Sequence, residues 1–275
     1  MSDSFQFDLN AYCRRIGFVG RLEPTLPVLK SLAERHACSI PFENLDVVLG
    51  RGVDLNPEAL EKKLVHDRRG GYCFEQNSLM LGVLRQIGFE VTPLAGRVRL
   101  GRTREELPPR THLFLSVKIE GEEWLFDVGV GGFSLTTPIR RNSNEEQLTL
   151  HEPRRILGSE GAYFHQGWSG KEWIDVYEFS GEEMPEIDRE VSNWWTSTSP
   201  KSKFSQNLFC ALASSNGERL GLINDRFTRR RGDDVLEVIE IGSADQLLEI
   251  LDLRFGLGFS VGTRFQSGDR PWPTT

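Results

Sequence analysis

The sequence predicts an α+β protein in three consecutive regions: an N-terminal helical bundle, a central β-barrel and a C-terminal α/β lid. Up to about Gly88, apolar residues recur at spacings of three and four. From about Phe89, short strand-like runs alternate with glycines and charged turns. After Thr196 more strands precede a capped apolar helix pattern. The expected regions are 1–88, 89–195 and 196–275.

In the first region "LNAYCRRIGF", "TLPVLKSLAERHACSI" and "NPEALEKKLVHDRR" read as amphipathic helices. Asn56 followed by Pro57 fits an N-cap with proline at the first helical position. Leu79, Met80, Val83, Leu84 and Ile87 form a further helical stripe, which Gly88 stops. In the second region "FEVTPLAGRVRL" reads as a strand, and "THLFLSVKIEGEEWLFDVGVGG" as a hairpin turning near Gly121. "RRILGS", "AYFHQGW" and "EWIDVYEF" continue the strands, and the whole span to Trp195 is read that way. In the third, "SQNLFCALAS", "GERLGLIND", "RFTRRR" and "DVLEVIEIG" read as strands. Ser243 and Gln246 then form a capping box before "LLEILDLRFG".

Composition narrows the function. The 275 residues are enough for a sizeable core, and 38% apolar with 27% charged residues fits a soluble globular chain. A formal charge of −7 argues against a nucleic-acid binder, which would carry a basic face. The N-terminus lacks a basic start followed by an apolar run, so no signal peptide is expected. No apolar stretch is long enough to span a membrane. Cys13, Cys38, Cys73 and Cys210 are widely spaced, so neither a disulfide framework nor a metal site is expected, and a reducing cytoplasm is.

One cysteine stands apart. In "RRGGYCFEQN", Gly70 and Gly71 allow a tight turn with backbone angles closed to other residues, and Cys73 then opens a helix pattern. A helix start favours a thiolate through its unpaired N–H groups and its dipole. A thiolate nucleophile also needs a base and an orienting group. His36 and His66 lie among charged neighbours on helices, and His151 and His165 near turns, so all four are expected at the surface. His112 differs, because it starts the apolar run "HLFLSVKI", and Asp127 interrupts "WLFDVGVGG" in the same way. With a two-residue turn at Gly121 and Glu122, His112 and Asp127 share a face but stand about four residues apart, roughly 13 Å. On this register they need a bulge or a strongly bent strand to meet. Spacing leaves open whether Cys73 is a nucleophile or a packing residue.

The chain resembles the arylamine N-acetyltransferases. "RGGYCFEQN" (69–77) is similar to the family's active-site segment, and "IPFENLDVVLGR" (40–51) to its N-terminal signature. "HLFLSV" and "DVGVGG" resemble the segments that supply its His and Asp, and "TSPKSKF" (198–204) resembles a later segment. The resemblance implies the three-part fold and a Cys73–His112–Asp127 triad. It implies acetyl-CoA as donor and ping-pong transfer to a small aromatic amine or hydrazine; a monomer or homodimer is expected. It carries Glu43 and Arg69 onto an ion pair bracing the nucleophile turn, and Asn77 onto a partner of the triad carboxylate. It assigns Gly131, Gly132, Lys201, Ser202 and Lys203 to CoA, and Phe42 and Val130 to the acceptor pocket. Val130 stands where the family often has an aromatic residue, which implies a wider pocket without stacking. Arg229, Arg230 and Arg231 read as a solvated turn rather than a phosphate clamp.

Three other readings compete. The same triad serves relatives that close macrocyclic amides on polyketides without CoA, since a fold does not fix its substrate. A thiol hydrolase would resolve the acyl-enzyme with water. A non-catalytic binding module leaves the polar interruptions at His112 and Asp127 unexplained.

Overall fold

Asp8 caps the first helix, α1 (Leu9–Ile16), by accepting the Ala11 N–H, and Gly17 ends it in the left-handed conformation. The computed structural model describes residues 5–159, 161–267 and 270–273; the other positions, including the opening "MSDS", lie outside the described residues. After α1 come α2 (Leu26–Ala37), the short strand β1 (Phe42–Glu43), α3 (Leu45–Val48), α4 (Pro57–Glu61) and α5 (Cys73–Ile87). Asn56 caps α4 through the Glu58 N–H with Pro57 in the first turn, and Gly88 closes α5 at φ 106°, as their types predict. Tyr12, Leu29, Leu32, Leu79, Met80 and Leu84 fill the core between these helices and extend it to Leu115, Val117 and Phe126.

The second region holds β2 (Glu90–Val98), β3 (His112–Ile119), β4 (Glu122–Phe126), β5 (Ile139–Arg140), β6 (Arg154–Ser159), β7 (Ala162–Trp168) and β8 (Trp173–Glu183). They form one antiparallel sheet of order β5-β4-β3-β2-β8-β7-β6, curled into a near-closed barrel. Gln147 stitches the seam. Its backbone exchanges hydrogen bonds of 2.7 and 2.9 Å with Arg154, and its side-chain amide bonds both backbone groups of Arg140. Leu94, Phe114, Leu125, Ile139, Ile156 and Phe179 pack the interior.

The β3–β4 hairpin departs from the sequence reading. Ile119 pairs with Glu122, so the turn is Glu120–Gly121, one residue earlier than expected. Both turn residues have positive φ, 53° and 86°, the pattern of a type I′ hairpin. Moving the turn shifts the register by two residues. Continued to Asp127, the ladder places it opposite Phe114 instead of Ser116, one diagonal step from His112 on the same face. The bulge that the expected register required is unnecessary.

The strand reading of 89–195 also fails at its end, where α6 runs from Glu186 to Thr198. Its polarity is inverted: Ile187, Val191 and Trp194 face solvent while Asn193 and Thr196 are buried. Ile187, Val191 and Trp194 do recur at spacings of four and three, a helical period that the strand reading passed over, but that stripe faces solvent instead of the core. The start of "SQNLFCALAS" belongs to a second unexpected helix, α7 (Lys203–Gln206), capped by Ser202.

The last region contains β9 (Phe209–Ala213), β10 (Arg219–Ile223), β11 (Arg226–Arg231), β12 (Asp234–Glu240) and α8 (Ala244–Phe255). It ends in a small hairpin of β13 (Phe265–Ser267) and β14 (Arg270–Trp272). Ser243 caps α8 through the Gln246 N–H, while the Gln246 side chain takes the Gly242 N–H, one residue before the partner of a standard capping box. The sheet order is β1-β9-β10-β11-β12, so β1 from the N-terminal signature is its edge strand. Phe42 also bridges to Gly71, which joins this sheet to the turn before α5. Among the described residues no helix is long and apolar enough to cross a membrane.

Candidate active site

The turn before α5 is built by close approach. Glu75 Oε2 accepts the Tyr72 N–H at 3.0 Å and so fixes the start of α5, with Cys73 its first residue. The N–H groups of this turn lack intrahelical acceptors and carry the positive end of the helix dipole. Neither Gly70 nor Gly71 has positive φ, contrary to the sequence reading. They are there for space: a Cβ on Gly70 would sit 2.1 Å from Pro41 O, and one on Gly71 2.7 Å from Glu75 Oε2.

Gln76 holds this turn from below, donating to Pro41 O and Gly71 O at 2.9 Å each. With both amide hydrogens used, its Oε1 accepts from His36 Nε2 at 2.8 Å. That assigns the Nε2–H tautomer to His36, whose Nδ1 faces the Tyr12 hydroxyl at 3.0 Å. His36 is therefore fully buried, which corrects the expected surface placement. The signal was present, because Leu29, Leu32, Ala33 and His36 share one face of α2.

Cys73, His112 and Asp127 come together in this structure, all of them buried. His112 Nε2 bonds Asp127 Oδ2 at 2.8 Å, which leaves Nδ1 for the thiol side. Asp127 Oδ1 accepts from Asn77 Nδ2 and from the Gly129 N–H, both at 2.9 Å. Asn77 Nδ2 also reaches Leu113 O at 2.7 Å, and its Oδ1 takes the Val128 N–H at 3.3 Å. One amide thus ties α5 to β3 and to the carboxylate. Burial disfavours a charged His112, but the charge and hydrogen bond of Asp127 outweigh it and Cys73 adds to them. His112 is held well above its ordinary value, which favours an imidazolium on the side that faces Cys73.

Glu43 and Arg69 meet in the interior. Arg69 Nη2 and Nε reach Glu43 Oε1 at 2.7 and 3.1 Å, and Glu43 Oε2 takes the Leu45 N–H at 2.7 Å. Lys63 Nζ, which the sequence reading did not single out, bridges Asp46 and Glu75 at 2.6 Å each. Asp46 also accepts from Arg69, so the network joins α3, the turn after α4, and the start of α5 beside Cys73.

The remaining sequence candidates separate by position. Phe42 packs in one apolar group with Tyr72, Cys73 and Phe74, and Phe204 lies 6.0 Å away, ring to ring. Gly131, at φ 80°, presses on the Phe42 ring, where a Cβ would approach to 3.3 Å. Val130 is buried with the barrel interior instead of that group. Gly132 is open, since a Cβ there would meet nothing within 4 Å. Lys201 and Lys203 are exposed and make no ion pair among the described residues. Ser202 differs from the expected CoA contact: its buried hydroxyl donates to Thr196 O at 2.6 Å and accepts the Phe204 N–H, so it serves as a helix cap.

His66 is half exposed beside Glu61, and His151 bonds Thr136 at 3.0 Å, but His165 is fully buried against Tyr177, another correction. Gly129 was missed. A Cβ there would lie 2.8 Å from Cys73 Cα and 2.7 Å from Asn77 Nδ2, so only glycine lets the loop after Asp127 press on Cys73. Among the described residues no cluster of three His, Cys, Asp or Glu is placed to hold a metal ion.

Comparison with known proteins shows the family and the fold. A family model described as N-acetyltransferase matches residues 25–263. The chain is 38% identical over 250 residues to the arylamine N-acetyltransferase / N-hydroxyarylamine O-acetyltransferase of Salmonella typhimurium, covering 91% of this chain and 89% of that one. It is 42% identical over 254 residues to the arylamine N-acetyltransferase of Mycolicibacterium smegmatis, covering 91% and 92%. The solved Salmonella typhimurium structure superposes with a TM-score of 0.87 at 37% identity, over 92% of this chain and 94% of that one. The Mycobacterium marinum arylamine N-acetyltransferase in complex with CoA gives 0.86 at 38% identity, over 90% and 92%.

Proposed function

Because this chain belongs to the arylamine N-acetyltransferase family, we propose that it transfers an acetyl group from acetyl-CoA to the nitrogen of arylamines, arylhydrazines or arylhydroxylamines. The observation that carries the reading is the buried triad, with Cys73 at a helix start and His112 bonded to Asp127 at 2.8 Å.

In the first half-reaction the Cys73 thiolate attacks the thioester carbonyl. The carbonyl–sulfur bond to CoA breaks, and His112 passes its proton to the departing sulfur. An acetyl-Cys73 and a neutral His112 result. The amine then attacks the acetyl carbonyl, His112 takes the proton from nitrogen, and the Cys73 thiolate leaves. The resting ion pair is restored. Asp127 keeps the imidazole oriented through both steps. The complex of the Mycobacterium marinum relative with CoA supports this donor. The donor would approach over the open face of Gly132 with Lys201 and Lys203 free to meet phosphates, and the acceptor ring would rest beside Phe42.

Intact-mass analysis after mixing with acetyl-CoA tests the proposal. One acetyl group on Cys73, discharged by an aromatic amine or hydrazine, is the expected result. No adduct in fresh wild-type protein would sink it, and discharge by water at an amine-independent rate would favour a hydrolase.

A further inference from the structure

Three arginines converge on the loop that follows Asp127. Arg230 Nη2 donates to Gly132 O at 3.2 Å, Arg154 Nη2 to Phe133 O at 2.8 Å and Arg219 Nη2 to Ser134 O at 3.0 Å. They come from β11, β6 and β10, so the barrel and the C-terminal sheet grip three consecutive carbonyls together. Glu152 ties the cluster, bonding Arg154 and taking Arg219 Nη2 and Nε at 2.7 and 2.9 Å. The Phe133 ring is 5.4 Å from the guanidinium of Arg154 and equally far from that of Arg230.

Other parts of the fold accommodate the arrangement. Gly167 leaves room for it, since a Cβ there would come within 3.0 Å of the Phe133 ring and 3.2 Å of Arg154 Nη1. The β11–β12 ladder slips register between Arg229 and Arg230. Arg229 and Arg231 bind Glu218 on the outside, while Arg230 reaches the loop. Arg154, Arg219 and Glu152 are almost wholly buried. Burying guanidinium groups against one carboxylate is unfavourable unless hydrogen bonds compensate, and apolar filling would leave three carbonyls unpaired. Arg154 Nε alone of that side chain's nitrogens makes no hydrogen bond among the described residues.

The grip has a direction. A trans peptide points its N–H opposite to its C=O. Holding Gly132 O in the arginine cluster turns the Phe133 N–H away from it, and the Gly132 and Phe133 N–H groups make no hydrogen bond among the described residues. The loop's own backbone bonds, Ser134 N–H to Gly131 O and Leu135 N–H to Asp127 O, tie its ends independently at 2.9 and 2.7 Å.

We infer that Arg154, Arg219 and Arg230, cross-tied by Glu152, are positioning residues for the acyl donor: they fix the Gly131–Ser134 loop so that its free amides face the donor. This rests on the acetyltransferase reading. Because Asn77, Gly129 and Leu135 hold Asp127 separately, loosening the clamp should weaken use of acetyl-CoA more than the chemistry of Cys73.

Arg230→Met tests this, since Arg230 is the least buried of the three and methionine keeps its apolar stem. The KM for acetyl-CoA should rise about tenfold, as for loss of one charged hydrogen bond. Acetylation of Cys73 by p-nitrophenyl acetate, which has no CoA moiety, should slow by less than about threefold. Arg230→Lys should recover part of the acetyl-CoA effect. Amide hydrogen exchange at 131–135 should quicken in Arg230→Met while exchange in α5 does not change. An unchanged acetyl-CoA KM, or equal losses with both donors, would overturn the inference. If wild-type Cys73 takes no acetyl group from acetyl-CoA, the enzymatic reading fails, and the donor role with it; the exchange measurement still decides separately whether the clamp holds the loop.

Discussion

His112 and Asp127 meet at 2.8 Å because the hairpin between them turns at Glu120–Gly121. The type I′ turn brings Asp127 to the diagonal position beside His112, and the Asn77 amide holds the carboxylate there.

Removing the imidazole should silence the nucleophile. In His112→Gln, alkylation of Cys73 by iodoacetamide at neutral pH should slow about 100-fold or more, with the fold retained. Equal alkylation rates in variant and wild type would show that His112 does not activate Cys73.

Two glycines of one loop should respond in opposite ways. Gly129→Ala places a Cβ 2.8 Å from Cys73 Cα, so it should destabilise the protein by about 2 kcal/mol and abolish transfer. Gly132→Ala meets open space, so its stability should stay within about 0.5 kcal/mol of wild type. If the donor crosses that face, its acetyl-CoA KM should rise nonetheless. Urea unfolding and steady-state kinetics on both variants separate the two effects.

His36 should make folding acid-sensitive. Burial first, and then the charge of Arg15, lowers it to about 4 in the folded protein against the opposing hydrogen bond from Gln76. An unfolded histidine titrates near ~6.5, so the unfolded state binds the proton first as pH falls. The His36 contribution is fully present above that value and is lost between about 6.5 and 4, some ~2 kcal/mol of it by pH 5. The stability difference between wild type and His36→Gln, measured by urea unfolding at pH 7.5 and 5, should shrink on acidification. A difference independent of pH would contradict this assignment. His112 has the opposite sign, its stabilisation being lost as pH rises through its raised folded value, and it is common to both proteins.

Arg69 should matter more than a surface ion pair. Arg69→Met leaves Glu43 buried beside Asp46 without its cation, and should destabilise by about 3 kcal/mol. Limited proteolysis should then cut near the 68–72 turn before it cuts the barrel. A loss below ~1 kcal/mol would indicate that Lys63 alone suffices to hold the network.

Local chemistry made much of this protein legible from sequence. The caps at Asn56, Gly88 and Ser243 read correctly because each depends only on its own turn. The face shared by His112 and Asp127 also read correctly, because a shift of two residues preserves strand parity. The contact between them did not, since it depended on which residue pair adopts positive φ. The helical period of α6 was legible in Ile187, Val191 and Trp194, but which of its faces is buried was not, because the buried side is polar. His36 was misjudged because its charged neighbours in sequence lie on another face of α2. Tertiary structure alone decided the rest. Glu152 finds Arg219 across 67 positions, and Gly129 finds the Cys73 backbone across the core. Such contacts have no local period or cap to announce them; they exist only once the barrel and the C-terminal sheet have packed around the nucleophile turn.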